Sequence, residues 1–160
     1  MAISKGDKVP SATVMMATEN GPEKADAADV LGSGKVALFS VPGAFTPTCS
    51  AKHLPGFVEN AEALKGKGVD KIVCMSVNDA FVMDAWGKAH NAGASVAMMA
   101  DGNGELARAL GLTMDGAAFG MGERSQRFSA IIDNGVVSTL NVEEPGAFEV
   151  SSAEHMLSQL

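Results

Sequence analysis

Lys35–Gly68 reads KVALFSVPGAFTPTCSAKHLPGFVENAEALKGKG. Val36-Ala37-Leu38-Phe39-Ser40-Val41 is apolar on both faces apart from one serine, the pattern of a central strand covered on both sides. Pro42-Gly43 breaks the run. From Ala51 to Lys67 the apolar residues Leu54, Phe57, Val58, Ala61 and Leu64 recur at helical spacing, which predicts one helix ended by Gly66 and Gly68. A buried strand, a tight turn and a helix carrying Cys49 in its first turn follow from this stretch, and the flanking sequence repeats the unit.

Lys71 to Val77 is a second apolar strand closed by Asn78-Asp79. A helix is expected over Ala80 to His90, with Phe81, Val82, Ala85, Trp86 and Ala89 on its inner side. Val96 to Ala100 reads as a strand, Asp101 to Gly104 as a turn, Glu105 to Leu110 as a short helix, and the Gly-rich stretch Leu112 to Glu123 as an irregular loop. Asp133-Asn134-Gly135 joins Arg127–Ile132 to Val136–Val142 as a hairpin, since Asn-Gly is the strongest short hairpin signal. Ser151 to Leu160 closes the chain as a helix. Toward the N-terminus, Ala12 to Thr18 is a first strand, Glu19 to Pro22 a turn, and Ala25 to Leu31 a short helix. Parallel strand–helix units finished by an antiparallel hairpin and a helix describe an α/β protein, a thioredoxin-like three-layer sandwich with a central mixed β-sheet, and residues 1–160 are expected to form a single domain.

At 160 residues the chain is long enough to bury about two-thirds of its unfolded surface around one core. Its hydrophobic share of 46% lies in the soluble range, and no run reaches the ~18 to 20 apolar residues of a membrane span. Met1 to Lys8 has no apolar core for a signal peptide, so a cytoplasmic location is expected. A formal charge of −7 without a dense Lys/Arg block argues against nucleic acid. Cys49 and Cys74 make neither a Cys-x-x-Cys pair nor a zinc-ligand spacing, so no metal and no cofactor are expected.

Crossover connections bring the ends of parallel strands and the starts of the following helices to one sheet edge, where ligands bind. Cys49 falls on that edge. If the helix begins near Pro47, a residue tolerated at the first helical position, the unpaired N–H groups and the helix dipole favour a thiolate at Cys49. Spacing alone leaves a second reading open, a small apolar residue filling a helix start.

Pro42-Gly43-Ala44-Phe45-Thr46-Pro47-Thr48-Cys49 has the form Pro-x-x-x-Thr-x-x-Cys and resembles the signature of the peroxiredoxins. His53-Leu54-Pro55-Gly56-Phe57 and Val77-Asn78-Asp79, with Phe81-Val82-Met83 and Ala85-Trp86, make the chain similar to the type II, or class five, subfamily. The resemblance implies a thiol peroxidase that reduces hydrogen peroxide and alkyl hydroperoxides. Cys49 would be the peroxidatic cysteine, Thr46 the hydroxyl that holds the peroxide, and Arg127 the guanidinium beside the sulfur. Pro42, Phe45 and Thr48 would line the substrate pocket. It also implies recycling by glutathione and glutaredoxin or by thioredoxin, and a homodimer. Arg124 competes with Arg127 but reads as the surface arginine of the two, and His53, one turn after Cys49, reads as structural rather than as a base.

Cys74 follows Cys49 by 25 residues, a spacing found in plant-like members of this subfamily, where it has been discussed as a resolving partner. Three residues from its strand end, it is expected about 10 Å below the edge that carries Cys49, whereas a disulfide needs Cα atoms within about 7 Å. A buried core residue is the favoured reading. A thioredoxin-like disulfide oxidoreductase would need a second cysteine where Thr46-Pro47-Thr48-Cys49 stands. A non-catalytic redox-regulated binding module would show no turnover with peroxide.

Ionisation alone does little for peroxide reduction. An ordinary thiol of pKa ~8.5 is already about 7% thiolate at pH ~7.4, so complete ionisation raises its rate only about 14-fold. The larger gain must come from donors placed to meet charge moving onto the leaving oxygen, and Thr46, the N–H groups near Cys49 and Arg127 are the candidates.

Overall fold

The computed structural model describes residues 2–160. In chain order it contains β1 (Thr13–Thr18), β2 (Gly21–Asp26), α1 (Ala27–Val30), β3 (Lys35–Ser40), a π-helical turn (Cys49–His53), α2 (Leu54–Glu59), α3 (Ala61–Gly66) and β4 (Lys71–Ser76). There follow α4 (Ala80–Ala89), β5 (Ala97–Ala100), α5 (Glu105–Leu110), β6 (Thr113–Asp115), a 3-10 turn (Ala117–Phe119), β7 (Glu123–Ser125), β8 (Phe128–Asp133), β9 (Val136–Val142) and α6 (Ala153–Ser158). Among the described residues seven strands share one sheet in the order β2-β1-β5-β4-β3-β8-β9, and β6 pairs with β7 in a separate ribbon. β3, β4 and β5 run parallel, while the other neighbours in the sheet are antiparallel.

The period-two alternation of the central strands divides the core into two. Ala37, Phe39, Ile72 and Cys74 face one side, where they meet Leu54, Phe57, Leu64, Met83, Trp86 and Met156 of α2, α3, α4 and α6. Val36, Leu38, Val73 and Met75 face the other, against Leu31, Leu106 and Leu110. The result is the three-layer mixed sandwich expected from the sequence.

Four local expectations are corrected. Gly21–Asp26 is a strand, not a turn leading into a helix, so α1 is shortened to Ala27–Val30. β2 has no apolar alternation because it is an exposed edge held by its ladder to β1, where Pro22 and charged residues are tolerated. The expected helix over Ala51 to Lys67 is a π-turn followed by α2 and α3, with a break at Asn60, whose side-chain amide donates to the Gly56 carbonyl at 2.8 Å. The supposed loop Leu112 to Glu123 contains β6, and its ribbon partner β7 begins at Glu123; three-residue strands separated by glycines leave no periodicity to read.

The inner face of α4 is also rotated from expectation. It buries Ala80, Met83, Trp86 and Gly87, while Phe81, Ala85 and Ala89 are exposed. Gly87 sets this orientation: a Cβ there would lie 3.0 Å from Met98 Cγ, so its absence lets the helix close onto β5. Among the described residues no helix is long and apolar enough to cross a membrane.

Candidate active site

β3 ends at Ser40, and the chain turns over the sheet edge through Val41 to Thr46. Val41 N–H donates to the Met75 carbonyl at 3.1 Å, and Ala44 N–H donates to Asn78 Oδ1 at 3.0 Å, so the turn is tied to the end of β4. Phe45 has φ of 64°, a left-handed conformation uncommon for a residue with a large side chain. Gly43 is required by close approach, since a Cβ would lie 3.0 Å from Arg124 Nη1 and 3.1 Å from Thr46 Cγ2. Ser50 N–H donates to the Thr46 carbonyl at 2.9 Å and opens the helix, with Pro47 as its first helical residue.

The π-turn has a cause in the sequence. Pro55 has no N–H for the Ala51 carbonyl and its ring crowds the preceding turn, and there the helix widens, with Leu54 N–H donating to Cys49 O. Cys49 and His53 are both buried within this turn. Two contacts hold this turn and the helix α2 that continues it to the rest of the core. Phe57 stacks on Phe39 at 4.1 Å between centroids, a pairing worth about 0.5–1.5 kcal/mol beyond its buried area. Trp86 Nε1–H donates to Ser50 Oγ at 3.0 Å.

Arg127 reaches Cys49 from the start of β8, with its Nη2 donating to Cys49 Sγ at 3.0 Å and its Nη1 lying 2.9 Å from His53 Nδ1. His53 Nε2 lies 2.9 Å from the Ser151 carbonyl oxygen. A carbonyl only accepts, so Nε2 carries the proton, Nδ1 is the acceptor, and Arg127 donates to it. Burial lowers the His53 pKa to about 3, the Arg127 charge adds to this, and the Ser151 hydrogen bond opposes it. Both ring nitrogens are occupied, which leaves neither to take a proton from Cys49. Phe148 closes the far side, its ring 5.0 Å from His53 and 5.8 Å from Arg127 Cζ.

Arg124 is not the free surface arginine expected. Half-buried, it donates from Nη1 to the Pro42 carbonyl at 3.3 Å and from Nε to the Met121 carbonyl at 2.9 Å, clamping the β6–β7 ribbon onto the turn. Thr46 Oγ1 donates to the Gly43 carbonyl at 2.6 Å, so the hydroxyl faces the site as an acceptor and is not the donor expected from the sequence. Pro42 and Thr48 are half-buried, and Phe45 is exposed. Cys74 lies in β4 opposite Phe39 and Met98, fully buried, and burial pushes its thiol pKa well up, with Cys49 nearby adding to the shift.

The neutral His53 carries a stability signature. Unfolded, it titrates near 6.5; folded, near 3. Between these values the unfolded chain binds the extra proton, so stability falls as pH drops through the window, by up to about 1.4 kcal/mol per pH unit from this group. Urea unfolding of His53→Gln at several pH values in that range is expected to show a shallower slope by about that amount. An unchanged slope would contradict a buried neutral imidazole.

The Redoxin family model matches residues 4–157. Peroxiredoxin-2B of Arabidopsis thaliana is 50% identical over 159 residues, covering 99% of this chain and 98% of its own. The chain belongs to the Redoxin family. Another similar redoxin is the chloroplastic Peroxiredoxin-2E-2 of Oryza sativa subsp. japonica, 51% identical over 163 residues, covering 99% of this chain and 72% of its own. A crystal structure of reduced Prx3 from Vibrio vulnificus in complex with hydrogen peroxide is 54% identical, with a TM-score of 0.94 and coverage of 98% of both chains. As a peroxiredoxin-type redoxin, the protein is a thiol-dependent peroxidase, with a peroxide as substrate and a redox partner as reductant.

Sequence reasoning on this redoxin missed His53 as the partner of Arg127, and it gave no role at the site to Ser151, Phe148 or Glu143. The i, i+4 placement of His53 after Cys49 was a usable signal. Nothing in Glu143-Glu144 separates the buried acid from the exposed one.

Proposed function

We propose that Cys49 carries the peroxidase chemistry. The supporting observation is the 3.0 Å contact from Arg127 Nη2 to Cys49 Sγ, with Nη1 anchored on a histidine that burial keeps neutral near pH 7. The thiolate attacks the terminal oxygen of R–O–O–H, the O–O bond breaks, and Cys49 becomes a sulfenic acid while the departing alkoxide takes a proton to leave as R–OH. The Arg127 guanidinium meets the charge as it moves from sulfur to the leaving oxygen. Thr46, whose hydrogen is given to the Gly43 carbonyl, meets the peroxide O–H as an acceptor. Pro42, Phe45 and Thr48 border the approach to the sulfur.

Cys74, sealed in the core with its thiol held protonated, is a packing residue in this reading. The sulfenic acid is then reduced from outside by two thiol equivalents, from glutathione with glutaredoxin or from thioredoxin. Unpaired cysteines fit a reducing compartment such as the cytoplasm. One sheet flanked by two cores across the family match supports a single domain over 1–160.

A homodimer is part of the same proposal. Phe45, Phe81 and Phe119 are 54%, 74% and 80% exposed; Phe45 lies in the Pro42–Thr46 turn, Phe81 in α4, and Phe119 in the connection between β6 and β7, the ribbon that Arg124 clamps onto that turn. Phe81→Glu with Phe119→Glu is expected to shift the protein to a monomer in sedimentation velocity; a wild-type monomer would refute the dimer.

Sulfenic acid trapping tests the central claim. After one equivalent of hydrogen peroxide, dimedone is expected to label Cys49 alone. A labelled Cys74, or a Cys49–Cys74 disulfide within one chain, would overturn the assignment or the external reductant, respectively.

A further inference from the structure

Beyond the residues that touch Cys49, one buried carboxylate is linked to them through the loop that ends at Ser151. Glu143, just past β9, is 7% exposed. A single one of its oxygens, Oε2, accepts the N–H groups of Glu149, Val150 and Ser151 at 2.8, 2.9 and 2.8 Å and the Ser151 hydroxyl at 2.6 Å. Burial alone raises its carboxyl pKa, but the Ser151 hydroxyl and the three amides outweigh it and hold the group ionised. Its own N–H donates to the Arg127 carbonyl at 3.0 Å, so the clasp is built beside the arginine it serves.

We infer that Glu143 is a positioning residue for peroxide reduction, acting on the Arg127 guanidinium through the 144–151 loop, the Ser151 carbonyl and the His53 ring. The chain of contacts is continuous. Glu143 fixes the N–H and the hydroxyl of Ser151; the carbonyl of the same residue accepts the His53 Nε2–H; this leaves Nδ1 bare to accept Arg127 Nη1; and Nη2 is thereby aimed at Cys49. The same clasp seats Phe148 against both His53 and Arg127. Elsewhere in the loop Ala147 N–H donates to the Glu144 carbonyl, a local turn that does not reach the site.

With a neutral amide in place of the carboxylate, the three loop N–H groups and the Ser151 hydroxyl share a weaker acceptor, and the Ser151 carbonyl is freer to turn away. The imidazole can then place its proton on Nδ1, where it faces the guanidinium donor to donor. Misplacing a catalytic donor by about 1 Å costs on the order of 100-fold. An arginine that still neutralises the thiolate but no longer points its donor correctly would slow peroxide attack far more than simple alkylation.

This inference rests on the roles proposed for Cys49 and Arg127, and the test separates the two. In the full-length Glu143→Gln protein the second-order rate constant for hydrogen peroxide is expected to fall about 10- to 100-fold, with alkylation of Cys49 by iodoacetamide little changed. In an Arg127→Lys background the same substitution is expected to add almost nothing, whereas a merely structural role would lower the rate by the same factor in both. The imidazole 15N signals of His53 are expected to lose their single Nε2–H tautomer. A wild-type peroxide rate in Glu143→Gln, or equal losses in both backgrounds, would overturn the inference. Should Glu143→Gln fail to fold, Ser151→Ala removes one donor to the carboxylate and keeps the carbonyl. Its expected result is a several-fold loss confined to the Arg127 background, and an unchanged rate would be equally fatal. Full activity in Arg127→Lys itself would instead remove the underlying reading.

Discussion

Replacing Cys49 with serine is expected to reduce peroxide consumption to the uncatalysed background, a loss of at least about 10⁴-fold, with glutathione plus glutaredoxin or with thioredoxin as reductant. A hydroxyl at this position is scarcely ionised at neutral pH, and its oxygen cannot take up a second oxygen atom as sulfur does. The fold should survive, because serine is nearly isosteric and Arg127 Nη2 can donate to Oγ as it does to Sγ. Cys74→Ala gives the contrast. It removes a fully buried side chain between Phe39 and Met98 and should lower stability modestly while leaving turnover within a few-fold of wild type. If Cys74→Ala stopped turnover but not the first oxidation of Cys49, Cys74 would be the resolving thiol. Activity surviving in Cys49→Ser would end the assignment of the nucleophile.

What could be read from the chain depended on how local the cause was. Lys35 to Ser40, Lys71 to Ser76 and the Asn134-Gly135 hairpin are visible because burial on both faces and turn chemistry leave patterns in neighbouring residues. β2 was not visible, because an edge strand owes its conformation to a partner and not to its own side chains. The face of α4 was misjudged because Phe81 is more apolar than Ala80 or Gly87, yet the close approach of Gly87 to Met98 decides which side turns inward. The π-turn had a cause in Pro55, but the periodicity of Leu54, Phe57 and Leu64 concealed it.

The candidate site divides in the same way. Thr46, Cys49 and Pro42 lie in one contiguous segment and could be named together, and Arg127 followed from the resemblance and its place before β8. The contacts of His53 with Arg127 and Ser151 join residues separated by 74 and 98 positions, and no spacing rule reaches that far. Glu143 acts through backbone groups, which carry no sequence identity at all.

Substituting Arg127 with glutamine is expected to lower the rate constant for peroxide by about 10² to 10³, the usual cost of removing one donor preorganised for transition-state charge, or roughly 2.7–4 kcal/mol. Two mechanisms compete to explain such a loss, and two reactions of the same thiol separate them. If Arg127 worked only by favouring the thiolate, iodoacetamide alkylation would fall by the same factor as peroxide reduction, because both consume the thiolate. If it works by meeting charge on the leaving oxygen, peroxide reduction must fall well beyond alkylation, which has no O–O bond to break. Arg127→Lys refines the distinction, because an ammonium keeps the charge but cannot span His53 Nδ1 and Cys49 Sγ as the planar fork does at 2.9 and 3.0 Å. Lysine should therefore restore alkylation toward wild type and leave most of the peroxide defect in place. Equal losses in both reactions would mean that Arg127 serves the thiolate and not the breaking O–O bond.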